Sequence, residues 1–149
     1  VRYDYFHGYF LTDRDSAAVS YPFGFGLSYT TFTYSNMRIE KPVLSRVHEL
    51  RVTVDVANTG ARDGEEVVQL YIGCVLSRVL RHKKDLRAFT KIALKAGESQ
   101  KVVLKVPVAQ LAFWDETAGG WEIEQTSYVA YIGSSSSDRD LLTASFVIE

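Results

Sequence analysis

The sequence is short of the residues that small or specialised chains depend on. It has a single cysteine, Cys74, so no intrachain disulfide can form. That thiol follows an apolar run and reads as a small buried or half-buried side chain, not a nucleophile. Its three histidines, His7, His48 and His82, show no HxH or HExxH spacing, and no CxxC occurs, so neither a metal nor a cofactor is expected. No apolar stretch approaches the roughly 18 residues that span a bilayer. Basic residues number 17 and acidic residues 18, a balance that gives nucleic acid and anionic membranes nothing to hold. No G-x-S-x-G elbow is present. Asn36 and Asn58 both lack the N-x-S/T context for glycosylation. The chain opens on Val1 with no leader-like segment, and reads as processed or cut from something larger.

What is present suffices for one core. At 149 residues with 46% apolar content, the chain can bury about 70% of its unfolded surface without a staple. Residues 1–31 are rich in Tyr, Phe and Gly and show no long alternation. From Phe32 onward the pattern is one strand after another. Leu50-Arg51-Val52-Thr53-Val54-Asp55-Val56 alternates strictly, so Leu50, Val52, Val54 and Val56 are expected to face a core. Glu66–Ile72, Ala88–Leu94 and Gln100–Val106 follow. Ala96-Gly97-Glu98 reads as a hairpin-type turn between the last two, and Pro107 stops the strand. Thr33–Ile39, Ala112–Trp114, Trp121–Ile123, Tyr128–Ile132 and Thr143–Ile148 complete the set, with one short turn at Val108–Leu111. No segment keeps a helical period. Such a pattern predicts an all-β, two-sheet sandwich of the immunoglobulin or fibronectin type III kind. The boundaries are an irregular aromatic strap, residues 1–31, and a sandwich, residues 32–149.

Candidate chemistry is sparse. Asp13 and Asp15, Asp63 with Glu65 and Glu66, and Asp115 and Glu116 all lie in polar, turn-like stretches. The two carboxylates of a glycosidase must sit roughly 5–9.5 Å apart across the scissile bond, whereas turn carboxylates are usually solvated. Gly24-Phe25-Gly26 has no strand before it and no helix after it, and reads as a backbone turn. Arg78-Val79-Leu80-Arg81-His82-Lys83-Lys84 reads as a solvated loop, as does Ser134–Ser137. The aromatics are more informative. Tyr3, Tyr5, Phe6, Tyr9, Phe10, Tyr21, Phe23, Phe25 and Tyr29 crowd a segment that cannot bury them within itself. They either cover a sandwich face or form a docking surface. Trp114 and Trp121 either pack a hairpin corner or stack on sugar rings.

Tyr21-Pro22-Phe23-Gly24-Phe25-Gly26-Leu27-Ser28-Tyr29-Thr30 resembles the Y-P-F-G-[FY]-G-L-S-Y-T motif of glycoside hydrolase family 3. In that family the motif stands just ahead of a C-terminal fibronectin type III-like domain. The likeness continues through Asn58-Thr59-Gly60, Asp63–Tyr71, Lys84–Lys91, Ala96–Ser99, Leu111–Asp115 and Gly133–Ser136, and so covers essentially the whole chain. It departs at Arg81-His82-Lys83, where the family often has a proline, and at Gln125–Tyr128, where it has P-G-x-Y. On this resemblance Gly60 and Gly64 permit tight connections, Val67, Val68 and Leu70 fill the sandwich, and Phe23 and Phe25 bury their rings. Gly8, Tyr9 and Asp13 match a family segment expected at a domain interface or the rim of the glucose pocket.

The family's nucleophile and acid/base residues lie in two other domains, so the resemblance implies no catalytic residue here. It implies an accessory domain that braces the catalytic domains of an enzyme acting on terminal β-D-glycosides. Tyr9, Tyr21, Phe23, Phe25 and Tyr29 are the expected docking residues. The competing expectation is a stand-alone module that binds carbohydrate through Trp114 and Trp121 or self-associates through its strap. No cofactor, nucleic acid or membrane is expected in either case.

Overall fold

A computed structural model describes residues 4–149; Tyr3 lies outside the described residues. The described chain forms one helix, α1 (Tyr9–Asp15), and ten strands: β1 (Phe32–Ile39), β2 (Val43–Leu44), β3 (Glu49–Asn58), β4 (Gly64–Cys74), β5 (Asp85–Leu94), β6 (Ser99–Pro107), β7 (Phe113–Asp115), β8 (Gly120–Glu122), β9 (Ser127–Gly133) and β10 (Leu141–Ile148). A three-stranded sheet, β1-β3-β6, faces a five-stranded sheet, β2-β10-β9-β4-β5, and β7 pairs with β8 as a separate hairpin. This is the two-sheet sandwich the alternation predicts. Val108–Leu111 closes as a single 3₁₀ turn with Val108 and Leu111 buried.

Period-two burial builds the core. Leu50, Val52, Val54 and Val56 of β3 are all fully buried and meet Val68, Leu70 and Ile72 of β4 with Ala130 and Ile132 of β9. On the far side of β3, Arg51, Thr53 and Asp55 pair with Lys105, Val103 and Lys101 of β6 at the surface. Each fully buried Val or Leu contributes about 1.5–3 kcal/mol relative to exposure.

Three expectations are corrected. The turn at Ala96-Gly97-Glu98 joins β5 to β6, which belong to different sheets, so it crosses the sandwich and is not a hairpin. Turn chemistry alone reports a reversal, not which partner the next strand finds. Val67 does not fill the core: β4 alternates, and with Val68 turned inward Val67 points out and stays partly exposed. Tyr9–Asp15 is helical. Seven residues are too few to show a period or to hold a helix alone. Gly8 at φ 56° and Ser16 at φ 49° bound it, and Ala17 N–H closes on the Thr12 carbonyl at 3.0 Å.

Asn58, 1% exposed, ties the sheets together at the end of β3. Its Oδ1 accepts from the Thr30 hydroxyl at 2.6 Å and the Gly60 amide at 3.1 Å. Its Nδ2 donates to the carbonyls of Arg62 at 2.8 Å and Leu94 at 3.1 Å. The carboxamide is thus fully used. A Cβ on Gly60 would sit 2.2 Å from the Thr30 hydroxyl, so the close approach requires glycine. Asn58→Ala is expected to leave these groups unpaired and cost about 2–3 kcal/mol, read as a lower denaturation midpoint with an unchanged slope.

Candidate functional site

The outward face of β4 positions the strap. Gln69 and Tyr71 point away from the sandwich interior yet are buried, because the N-terminal segment lies over them. The Gln69 Nε2 donates to the carbonyls of Gly24, at 3.2 Å, and Ser134, while its Oε1 accepts from the Tyr71 hydroxyl at 2.6 Å. Gly24 adopts φ +80°, and a Cβ there would fall 2.1 Å from the Gln69 Oε1. Position 24 therefore requires glycine twice over. The Ser136 amide donates to the Phe23 carbonyl at 2.8 Å. Ser135 and Ser136 are consequently buried, not solvated as their composition suggests.

Helix α1 docks through rings and charges. The Tyr9 ring stacks on Phe23, with centroids 4.7 Å apart at 20°, and meets Tyr71 edge-on at 6.1 Å. Its hydroxyl accepts from the Leu86 amide at 3.1 Å, and burial pushes that phenol up to about 12. Phe10 lies flat on His82 at 3.6 Å and 9°, and Tyr5 stacks on the same imidazole at 4.4 Å. The His82 Nδ1 is 2.8 Å from Asp85.

The stretch Arg78–Lys84 is a solvated loop only in part: Arg78, Val79, Leu80 and Lys83 are exposed, whereas Arg81 and His82 are half-buried. Lys84 is fully buried; its Nζ donates to Asp13 at 2.7 Å and Asp138 at 3.0 Å, and Lys83 also reaches Asp138. Arg81 pairs with Glu124 at 3.2 Å, and Arg78 bonds both Asp115 and Glu122. The acidic partners lie tens of residues away, beyond the reach of a local charge count. Burial works against the Asp138 carboxylate, but the bonds from Lys83 and Lys84 outweigh it and hold it below the ordinary range. The Ala118 amide, then the Arg78 guanidinium, do the same for Asp115. Burial, then the charge of Glu124, raises the Cys74 thiol, which leaves it poorly nucleophilic.

The strap's remaining aromatics stand clear of the sandwich. Leu27 and Tyr29 are each 91% exposed, and Tyr21 is 73% exposed. Phe23 and Phe25 keep 46% of their surface open and so do not bury their rings within this chain. Two residues that composition does not single out join this face: Phe89, 68% exposed and paired across from Gln69, and Val67, two positions along β4. The register of the two strands, not the sequence order, puts them beside the Gly24 turn.

The other candidates sit apart. Trp114 and Trp121 pair directly across the β7–β8 hairpin, with centroids 5.8 Å apart at 79°. Asp13, Asp15 and Asp115 are ion-paired to Lys84, Arg14 and Arg78. Glu65 pairs with Lys91, Asp63 accepts the Ala96 amide and Glu66 the Val67 amide. Among the described residues no group of three or more His, Cys, Asp or Glu is placed to hold a metal.

Residues 66–136 match the fibronectin type III-like domain. The chain is 38% identical over 133 residues to an exo-α-(1→6)-L-arabinopyranosidase of Bifidobacterium longum, covering 89% of this chain and 17% of that protein. It is 37% identical to a β-glucosidase of Bacteroides ovatus, covering 94% of this chain and 19% of that one. Among solved structures, the family 3 β-glucosidase of Bifidobacterium adolescentis superposes with a TM-score of 0.86 at 36% identity, over 96% of this chain and 21% of its own. A Kluyveromyces marxianus β-glucosidase in complex with glucose gives 0.85 at 34% identity, over 98% of this chain and 17% of its own. The chain therefore spans about a fifth of the length of the relatives it matches.

A carboxylate held below its ordinary range stabilises the fold above its unfolded value, and that contribution is lost as pH falls through the folded value. Asp138→Asn is accordingly expected to be less stable than the parent at pH 7. The difference should shrink as pH drops below about 4. Urea melts at a series of pH values check this.

Proposed function

We propose that this chain is the non-catalytic accessory domain of a family 3 β-glucosidase: residues 66–136 match the fibronectin type III-like domain, and the chain matches about a fifth of the length of such enzymes. In this reading residues 1–31 are the docking strap and residues 32–149 the sandwich. The parent enzyme hydrolyses terminal β-D-glycosides, and the sandwich braces its catalytic domains. Tyr21, Phe23, Phe25 and Tyr29 form the contact, with Leu27, Phe89 and Val67 widening it, and Tyr9 holds the strap from beneath.

One observation carries this reading: an apolar face that is exposed while its backbone is fixed. A free surface of this kind marks an interface, and the bonds from Gln69 and Ser136 hold its shape before any partner arrives. Preorganisation lowers the cost of docking. The same face can be covered by a second copy when catalytic domains are lacking, so self-association of the isolated chain is part of the same account.

A chimera tests it, with this chain replacing the matched segment of the Bifidobacterium adolescentis enzyme. Phe25→Asp combined with Leu27→Asp is expected to lower the melting temperature of the chimera by several degrees, since each buried apolar side chain contributes about 1.5–3 kcal/mol. The same pair should change the melting of the isolated chain far less when it is measured dilute enough to be monomeric, because Leu27 is there 91% exposed and Phe25 46%. The isolated chain is expected to release no p-nitrophenol from a p-nitrophenyl β-glucoside. Equal melting of the two chimeras contradicts the docking role.

A further inference from the structure

The groove between the β7–β8 hairpin, the 75–84 loop and Tyr5 takes no part in the docking face. It is open to solvent and spans about 740 Å³, within the size range of small-molecule sites. Trp114 and Trp121 line it and remain 52% and 72% exposed. Their rings meet at 79°, so they form a corner, one ring as floor and the other as wall. A pair whose role was to pack the hairpin would hide these rings.

The walls are set before a ligand arrives. Arg78 is held by Asp115 and, at 3.0 Å, by Glu122, and its guanidinium lies 5.2 Å from the centre of the Phe113 ring. Arg81 approaches the same ring at 5.6 Å and donates to the Leu111 carbonyl at 2.9 Å. Arg87 donates to the Gln110 carbonyl at 2.9 Å and to Asp85 at 3.0 Å. The loop and the hairpin are therefore locked together by charged bonds, and little ordering remains to be done on binding.

The charges choose the ligand class. Each arginine of the lining is already paired: Arg78 with Asp115 and Glu122, Arg81 with Glu124, and Arg87 with Asp85. With its guanidinium groups engaged and carboxylates in excess, the lining gives no pull to an anion. It offers planar donors and acceptors beside an apolar indole corner. A neutral molecule with a flat C–H face and hydroxyls round its edge fits both halves: the face lies on indole and the hydroxyls meet the guanidinium and carboxylate edges. We infer that this groove binds a neutral oligosaccharide, with Trp114 and Trp121 as its stacking residues.

Both tryptophans of the chain lie in the groove, so tryptophan emission reports on it directly. Titration of the isolated chain with cellotetraose is expected to give a saturable change in emission. Trp121→Ala should weaken the affinity, measured by calorimetry, by about tenfold, and Trp121→Phe, which keeps a ring, by less. Phe25→Asp on the strap should leave it unchanged. Circular dichroism confirms that each variant is folded. Tetragalacturonate, a charged sugar, should bind more weakly than cellotetraose. No saturable change with cellotetraose or xylotetraose would overturn the assignment, as would an affinity equal in the parent and a folded Trp121→Ala.

Discussion

The side-chain amide of Gln69 is the contact on which the outer half of the structure depends. An irregular segment laid across a sheet must find partners for its backbone polar groups, because the sheet beneath has spent its own on the ladder. Gln69 meets that need from the sheet itself. It points outward from β4, takes the carbonyls of Gly24 and Ser134 on one end and the Tyr71 hydroxyl on the other. Two loops and one ring are thereby fixed by a single side chain. Glycine at position 24 is the complement, since the approach leaves no room for a Cβ. Once that turn is fixed, Phe23 is placed to stack on Tyr9 and Phe25 to meet Tyr21, each ring still 46% exposed.

The charged contacts around Lys84 add a second fastening of a different kind. A fully buried ammonium loses its hydration, and its attraction to Asp13 and Asp138 largely offsets that loss without exceeding it by much. Such a cluster adds little net stability. Its effect is selective: any placement of helix α1 that takes Asp13 away leaves a buried cation short of a partner. The aromatic contacts Tyr9–Phe23 and Phe10–His82 supply the apolar attraction, and the ions determine where it acts.

The sandwich was largely legible in the sequence because its strands alternate, and alternation follows directly from the pleat. Leu50, Val52, Val54 and Val56 could be assigned to the core from four letters and their spacing. What was not legible required knowing which strands are neighbours. The Ala96–Glu98 turn looks local but crosses between sheets. Val67 sits among apolar residues, and only the phase of β4 turns it outward. Lys84 reads as one more charge in a basic run until Asp13 and Asp138 are brought to it by the fold. Phe89 joins the exposed apolar face because it pairs with Gln69, a relation absent from the linear order. β2, at two residues, is too short to show any alternation. The aromatic crowding of the strap was visible, whereas its division into anchors, such as Tyr9, and open rings, such as Tyr29, needed the sheet.

The molecule thus separates into a rigid sandwich, a strap fixed on its outer face, and a charged, tryptophan-lined corner at one end. The central claim is that the strap is held in one conformation by the sheet before any partner arrives. Hydrogen exchange resolved by residue tests it most directly, comparing the parent with Gln69→Leu. In the parent the amides of Phe25 and Ser136, both hydrogen-bonded here, should exchange slowly. In Gln69→Leu they should exchange much faster, while the amides of β3 keep their protection. Fast exchange at Phe25 and Ser136 in the parent, or equal protection in the two proteins, would contradict the account.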